Sequence, residues 1–427
     1  MTISARRSTI ILRRGSWALT MTAVLLVAPA LVPIQTAQAQ TFTVLHNFTG
    51  GSDGGQAGGL ILDRSGILYG NAYSGGDFTN CPGGCGVVYQ LKQHGSSWTL
   101  SPLYSFNGTD DGAMPNDVPT IGPDGALYGT AIGGGMNDLG TVFDLRPRPA
   151  ACASVLCPWV DTIVHQFGNG DDGASPIGGV VFDAAGNLYG TTDRGGTNGN
   201  GTVWEATRSG QNWTESVIYN FGAIGSGDGV NTTGTLTIDS AGNLYGTTQS
   251  GGSGGGGTVF KLTNTGSGWT ETILYNFPVN SLVDGWFLQG GVVLDSAGNI
   301  YGGTLFGGPN NGGTVYELSP SGGGYTFNVL ASLGGGLEEG VYDSLTIDAN
   351  GNLYGTTVRD GPGSNGFVFK LTQSNGNWTF TDLHGFIGAD GGAFPVGRVA
   401  VDAQGNIFGT TTGGGTNNQG ILFEITP

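Results

Sequence analysis

The chain has 427 residues, a formal charge of −17 and 85 glycines, with 38% hydrophobic and 10% aromatic residues. Such acidity excludes nucleic acid and anionic lipid as partners for a basic surface. Glycine without an every-third-residue period excludes collagen, and the aromatic content excludes a disordered glycine linker, which leaves many turns between packed strands.

At the N-terminus, Arg6, Arg7, Arg13 and Arg14 precede the apolar run "WALTMTAVLLVAPALVPI" and the small residues Ala37 and Ala39. This order is that of a secretory signal peptide over residues 1–39, cleaved after Ala39. Pro29 and Pro33 interrupt the run, which is short for a span of about 20 residues, so no stable membrane span is expected. Removing four arginines takes residues 40–427 to −17 − 4 = −21.

From there a repeat governs the chain. The tyrosine of "NLYG" and its variants falls at Tyr69, Tyr128, Tyr189, Tyr245, Tyr301 and Tyr354, with Phe408 in the seventh place, at steps of 59, 61, 56, 56, 53 and 54 residues. The fourth unit shows the division: "TGTLTID" (233–239), turn "SAGN", "LYGTT" (244–248), a glycine-rich loop, "TVFKL" (258–262), a second turn and "WTETILYNF" (269–277). These segments are rich in Val, Ile, Thr, Tyr and Phe and are bounded by turn residues, so each unit predicts four short antiparallel strands with essentially no helix. A repeat of this length reads as a propeller blade, with a β-solenoid as the runner-up.

The seventh unit ends after its third strand, "ILFEIT" (421–426), whereas "FTVLHNF" (42–48) matches the fourth-strand segments "ETILYNF" (271–277) and "DTIVHQF" (161–167). The N-terminal strand is therefore expected to complete the last blade and close an all-β, seven-bladed propeller, removing its sheet edges.

Most repeated residues have structural explanations. The Asp six residues before the tyrosine (Asp63, Asp183, Asp239, Asp295, Asp348, Asp402, with Gly122 breaking the series) is expected to cap its turn, and the glycine after the aromatic to leave room for a ring. The aromatics opening the fourth strands, such as Trp213 and Trp269, are expected on the outer face or between blades. Two close cysteine pairs, Cys81/Cys85 and Cys152/Cys157, read as two local disulfides in an oxidising compartment, a four-Cys zinc site being the alternative. His46, His165 and His384 stand in the register where other blades carry Tyr104, Tyr219 and Tyr275, and "GGSGG" (251–255) lacks the helix a catalytic serine elbow needs.

Two polar sets remain. Every link from a fourth strand to the next blade places an acid beside glycine: Asp53, Asp111, Asp172, Asp228, Asp284, Glu339 and Asp390. This is good turn chemistry, and seven carboxylates around one channel mouth would also suit calcium or another divalent cation. The second set departs from the Gly-Gly start of the inner strands: Asp117 in blade two, Asp343 in blade six and Arg398 in blade seven, candidates for a ligand site at the channel mouth.

The recurring "GNLYGTT…GTVFKL…WTETILYNF" resembles the GloVer tandem repeat of exported bacterial proteins across essentially all of residues 40–427. The resemblance implies export and a propeller-like array and carries no catalytic residue. A secreted or periplasmic location is expected, since no surface anchor of the kind other members carry follows Pro427. The leading expectation is a monomeric, non-enzymatic scaffold that binds a glycan or protein through its loop face. The alternative is a metal-assisted lyase or lactonase with its ion in the channel, for which inner strands such as "GGVVFD" offer few groups.

Overall fold

The four segments of each unit become four antiparallel strands, and the units close into a ring of seven blades. The computed structural model describes residues 40–147, 159–168, 170–210, 212–222, 227–334 and 340–427, without the side chains of Pro362 and Asp390. The expected signal peptide, Cys152, Cys157 and Glu339 lie outside the described residues. Residues 40–427 form one unit. Among the described residues no helix is long and apolar enough to cross a membrane.

Blade four shows the register. Thr237–Ile238 pairs with Leu244–Thr248, which pairs with Gly255–Asn264, which pairs with Trp269–Pro278, all antiparallel. The inner strand of blade four is short, two residues against ten for its outer strand, whereas that of blade one runs over Gly55–Leu62. Blade seven is built from both chain ends: Thr41–Asn47 pairs with Ile421–Thr426, from Thr41 opposite Thr426 to Asn47 opposite Ile421. The ring then closes onto blade one, where the Gln56 N–H donates to Gln419 O at 2.9 Å.

The core repeats with the sequence. Tyr89, Phe143, Trp204, Phe260, Tyr316, Phe369 and Phe423, one per blade on the third strand, are fully buried. Each lies opposite the glycine that follows the motif aromatic; in blade four Gly246 pairs with Phe260, and a Cβ on Gly246 would stand 2.5 Å from the ring. Glycine here makes space for an aromatic. The fourth-strand aromatics pack between blades: Trp269 meets Tyr189 at 5.9 Å and Trp378 meets Tyr301 at 5.8 Å.

The turn aspartates cap as expected. Asp239 accepts the N–H groups of Ala241 and Asn243 at 2.9 Å, the Asn243 amide at 2.7 Å and the Tyr245 hydroxyl at 3.1 Å. Where Gly122 breaks the series, Asp124 substitutes, accepting the Tyr128 hydroxyl at 3.0 Å and ion pairs from Arg146 and Arg208.

Candidate functional site

The loops joining second and third strands share one face with the blade-to-blade links, to which they are hydrogen-bonded: Gly76 N–H to Gly51 O at 2.8 Å, Gly135 to Thr109 at 2.6 Å, Gly252 to Asp228 at 2.7 Å. On this face the channel narrows to a cavity of about 50 Å³ to which all seven blades contribute. Its collar is set by the residue preceding each inner-strand start, Asn116, Ile177, Thr233, Gln289, Tyr342 and Val396 in blades two to seven, while blade one, whose link is a residue shorter, contributes Gly58 from the next position. No two of these six are alike. A ring whose core repeats so closely thus presents a wholly asymmetric collar.

Asp117 and Asp343 occupy one register position, next to the collar, where the other blades have glycine, and both line the cavity. Asp117 binds across two blades: its Oδ2 accepts the Gly179 N–H of blade three at 2.7 Å and the Thr235 hydroxyl of blade four. Asp343 accepts the Arg398 N–H of blade seven at 2.9 Å. Burial, then the charge of Asp117, push the Asp343 carboxyl above the usual carboxylate range, against the opposing pull of Arg398. Arg398 lies beyond this constriction, lining a second chamber of about 290 Å³ among Leu60, Leu345 and Val399. The structure therefore brings the three residues together around the channel, with both carboxylates committed to donors from other blades.

The link carboxylates behave differently. Asp53 lies 2.9 Å from His46 Nε2 and accepts the Thr49 N–H at 3.1 Å; Asp111 accepts the Tyr104 hydroxyl at 2.8 Å and the Asn107 N–H at 2.9 Å. Asp172 accepts the Gly168 N–H at 2.8 Å and lies 3.3 Å from His165 Nε2, and Asp228 accepts the Tyr219 hydroxyl at 3.0 Å. Asp284 engages Tyr275 in the same way. Each closes its own link through the fourth-strand Tyr or His, which explains why histidine substitutes for tyrosine there. Among the described residues no three His, Cys, Asp or Glu side chains gather as a metal site would require. Cys81 and Cys85 form a disulfide within the loop face of blade one.

Sequence reasoning missed the larger opening above the collar, a cavity of about 520 Å³ lined by Tyr73, Tyr342 and Phe394 together with Gln56, Asn116, Thr412 and Asn418. Gln56 and Phe394 hold the left-handed conformation there, φ 54° and 58°, shared by Met114, Ser175, Asn231 and Phe287 at the same turn. A non-glycine residue in that conformation costs about 1–2 kcal/mol. The signal was present: in columns whose neighbours repeat, these positions change identity from blade to blade.

Residues 30–158, 156–277 and 268–427 match the Gloeobacter/Verrucomicrobia repeat. This chain belongs to that family. The Gloeobacter/Verrucomicrobia repeat thus accounts for the whole ring, with each match spanning the strands of two to three blades. No curated protein matches the chain. Among solved structures, an ulvan lyase of polysaccharide lyase family PL25, bound to a GlcA–Rha3S saccharide, is similar over 89% of this chain and 95% of its own at 12% identity and TM-score 0.52. A protein to which gluconolactonase activity is ascribed covers 81% and 95% at 14% identity and TM-score 0.41, and a Dyadobacter fermentans protein of unknown function 90% and 97% at 11% and 0.44. The lyase likeness supports the fold alone.

Proposed function

We propose that this repeat protein is an exported, non-enzymatic scaffold that binds a neutral saccharide at the channel mouth. The observation that carries this reading is the cavity of about 520 Å³, where Tyr73, Tyr342 and Phe394 stand among the amides of Gln56, Asn116 and Asn418. Aromatic faces suit the C–H faces of sugar rings, and amides pair with hydroxyls as both donor and acceptor. Among the described residues no Asp, Glu, Lys, Arg or His lines this cavity, the Arg359 guanidinium lying 5.3 Å from the Phe394 ring, and the two acids below it disfavour an anionic ligand. Export is supported by the N-terminal pattern and by the Cys81–Cys85 disulfide.

The lyase or lactonase alternative needs a base and an acid aimed at one point. Asp117 and Asp343 are the acids that line the constriction below, and both are engaged by backbone donors. The test is a thermal-unfolding and calorimetric screen of residues 40–427 against neutral and uronate-containing oligosaccharides. At about a hundred times its dissociation constant a ligand adds about 2.7 kcal/mol. Binding of a neutral glycan, lost in Tyr73→Ala and Tyr342→Ala, supports the reading. Binding that survives both substitutions, or product release from a uronate substrate, overturns it.

A further inference from the structure

Three seams between blades hold an acid where the other four hold an apolar side chain. The position is the third residue of the outer strand's conserved half, occupied by Phe42, Leu100, Phe327 and Phe380 in blades seven, one, five and six, and by Asp161, Glu215 and Glu271 in blades two, three and four. In three of the apolar seams the side chain packs on the preceding blade, Phe42 stacking on His384 at 3.7 Å, Phe327 on Tyr275 at 4.3 Å and Leu100 lying against the cluster that holds Phe408, whereas Phe380 stacks on Phe369 of its own blade at 5.3 Å and is 38% exposed. In two acidic seams one side chain of the preceding blade reaches both the acid and the link carboxylate, His165 Nε2 lying 3.3 Å from Asp172 and 3.9 Å from Glu215 and the Tyr219 hydroxyl 3.0 Å from Asp228 and 2.9 Å from Glu271, and in the third Asp161 feels the charge of Asp111.

We propose that the pairs Asp111–Asp161, Asp172–Glu215 and Asp228–Glu271 each share a proton, so that blades one to four are joined by acid pairs that loosen when ionised. Hydrogen-bond inventory carries this first. Asp111 Oδ1, Asp161 Oδ1, Glu215 Oε1 and Glu271 Oε1 are buried without a partner, and the Glu215 side chain is 8% exposed. A buried ionised oxygen with no donor is costly, and two such groups side by side are costlier. At the third seam the Tyr219 hydroxyl lies 2.9 Å from Glu271 Oε2 and 3.0 Å from Asp228 Oδ2. One phenolic proton cannot serve both oxygens; Asp228 also accepts the Gly222 and Gly229 N–H groups, so Glu271 is the carboxyl left short of a donor, and a proton held on Glu271 and donated to the phenol satisfies the set.

The surroundings add little countercharge. Asp161 faces Asp111, Tyr104 and Asp144, whose own partner Arg146 is turned to Asp144 at 2.6 Å and Asp124 at 2.7 Å. Glu215 faces Asp172 and His165, whose Nε2 is 3.9 Å away and which burial keeps toward its neutral form. Glu271 faces Asp228 and Tyr219. Burial, then the neighbouring acid, raise Asp161 and Glu215 to about 7 and move Glu271 the same way.

The folded state thus holds protons that the unfolded chain has already released, and stability falls as pH rises from the ordinary carboxylate range to about 7. The experiment is thermal unfolding of residues 40–427 with chelator from about pH 5 to about pH 8, for the wild type and for Asp161→Asn/Glu215→Gln/Glu271→Gln. The wild-type midpoint is expected to fall by several degrees across this range and the triple variant to lose most of that fall. Hydrogen exchange, corrected for intrinsic rate, is expected to quicken at high pH in Asn212–Asn220 and Trp269–Pro278 but not in Gly324–Ser332. Should the variant not fold, the protonated-carboxyl infrared band of the wild type, present at neutral pH, supplies the same answer. A flat wild-type profile, a slope retained in the triple variant, absence of that band, or a calcium-induced rise at high pH that the variant lacks each overturns the proposal, the last in favour of a cation at the seams.

Discussion

Phe48→Ala tests the join between the two chain ends. Phe48 directly follows the N-terminal strand, is fully buried, lies 5.4 Å from the Tyr89 ring of blade one and donates its N–H to Gly420 O at 3.1 Å. It therefore fixes the strand to blade seven and blade seven to blade one. Truncating a buried phenylalanine to alanine costs about 3–5 kcal/mol. Unfolding entropy near about 2.1 cal/mol/K per residue gives about 0.8 kcal/mol/K over residues 40–427, 388 residues by 427 − 39. The calorimetric midpoint should then drop by about 4–6 °C. Phe221→Ala removes the equivalent, equally buried ring inside blade three and serves as the control. Equal shifts mean that the ring unfolds as one unit. A full shift for Phe221→Ala with less than about 1 °C for Phe48→Ala would show that blade seven opens separately, refuting closure as a source of global stability.

Deleting residues 40–48 uncovers the Ile421–Thr426 edge, so size-exclusion chromatography should show self-association, reversed by a peptide of those residues. Gly246→Ala should cost about 1–3 kcal/mol in denaturant unfolding because its Cβ meets Phe260 at 2.5 Å, whereas Gly242→Ala, with nothing within 4 Å, should cost about 1–2 kcal/mol from its φ of 81° alone. The Asp239 and Asp348 carboxyls, raised by burial but lowered more by their Asn and backbone donors, lie net below the usual range. They contribute stability present above the unfolded value and lost as pH falls through the folded one. With the seam acids acting oppositely, the melting midpoint should peak in mild acid; a peak in the alkaline range would contradict this. Asp117→Asn keeps a side-chain oxygen for the Gly179 and Thr235 donors and removes repulsion with Asp343 but turns its NH2 toward the Val118 N–H that Oδ1 accepts at 2.6 Å, so its unfolding free energy should fall by about 1 kcal/mol, against a loss of about 2–3 kcal/mol for Asp117→Ala.

What is local and repeated in this ring was legible in chain order. Strand alternation, the Asp-capped turn before Tyr245, the glycine that admits Phe260 and the fourth strand displaced to residues 42–48 are all written in chain order, because a blade is stabilised by neighbours within some sixty residues and its pattern recurs. Cys81 and Cys85 were legible for the same reason. Tertiary structure decided what meets across blades. Asp117 was visible as a departure from Gly-Gly, but not that it binds Thr235, 118 residues away. The seven link acids suggested one ring in sequence, whereas folding turns Asp53, Asp111 and Asp172 each toward its own strand's histidine or tyrosine. Tyr73, Tyr342 and Phe394 belong to blades one, six and seven and become one cavity only when the ring closes. Glu215 and Asp172 likewise become a buried pair only across a seam. Local spacing fixes hydrogen bonds within a turn, while desolvation and side-chain convergence depend on which blade stands next to which.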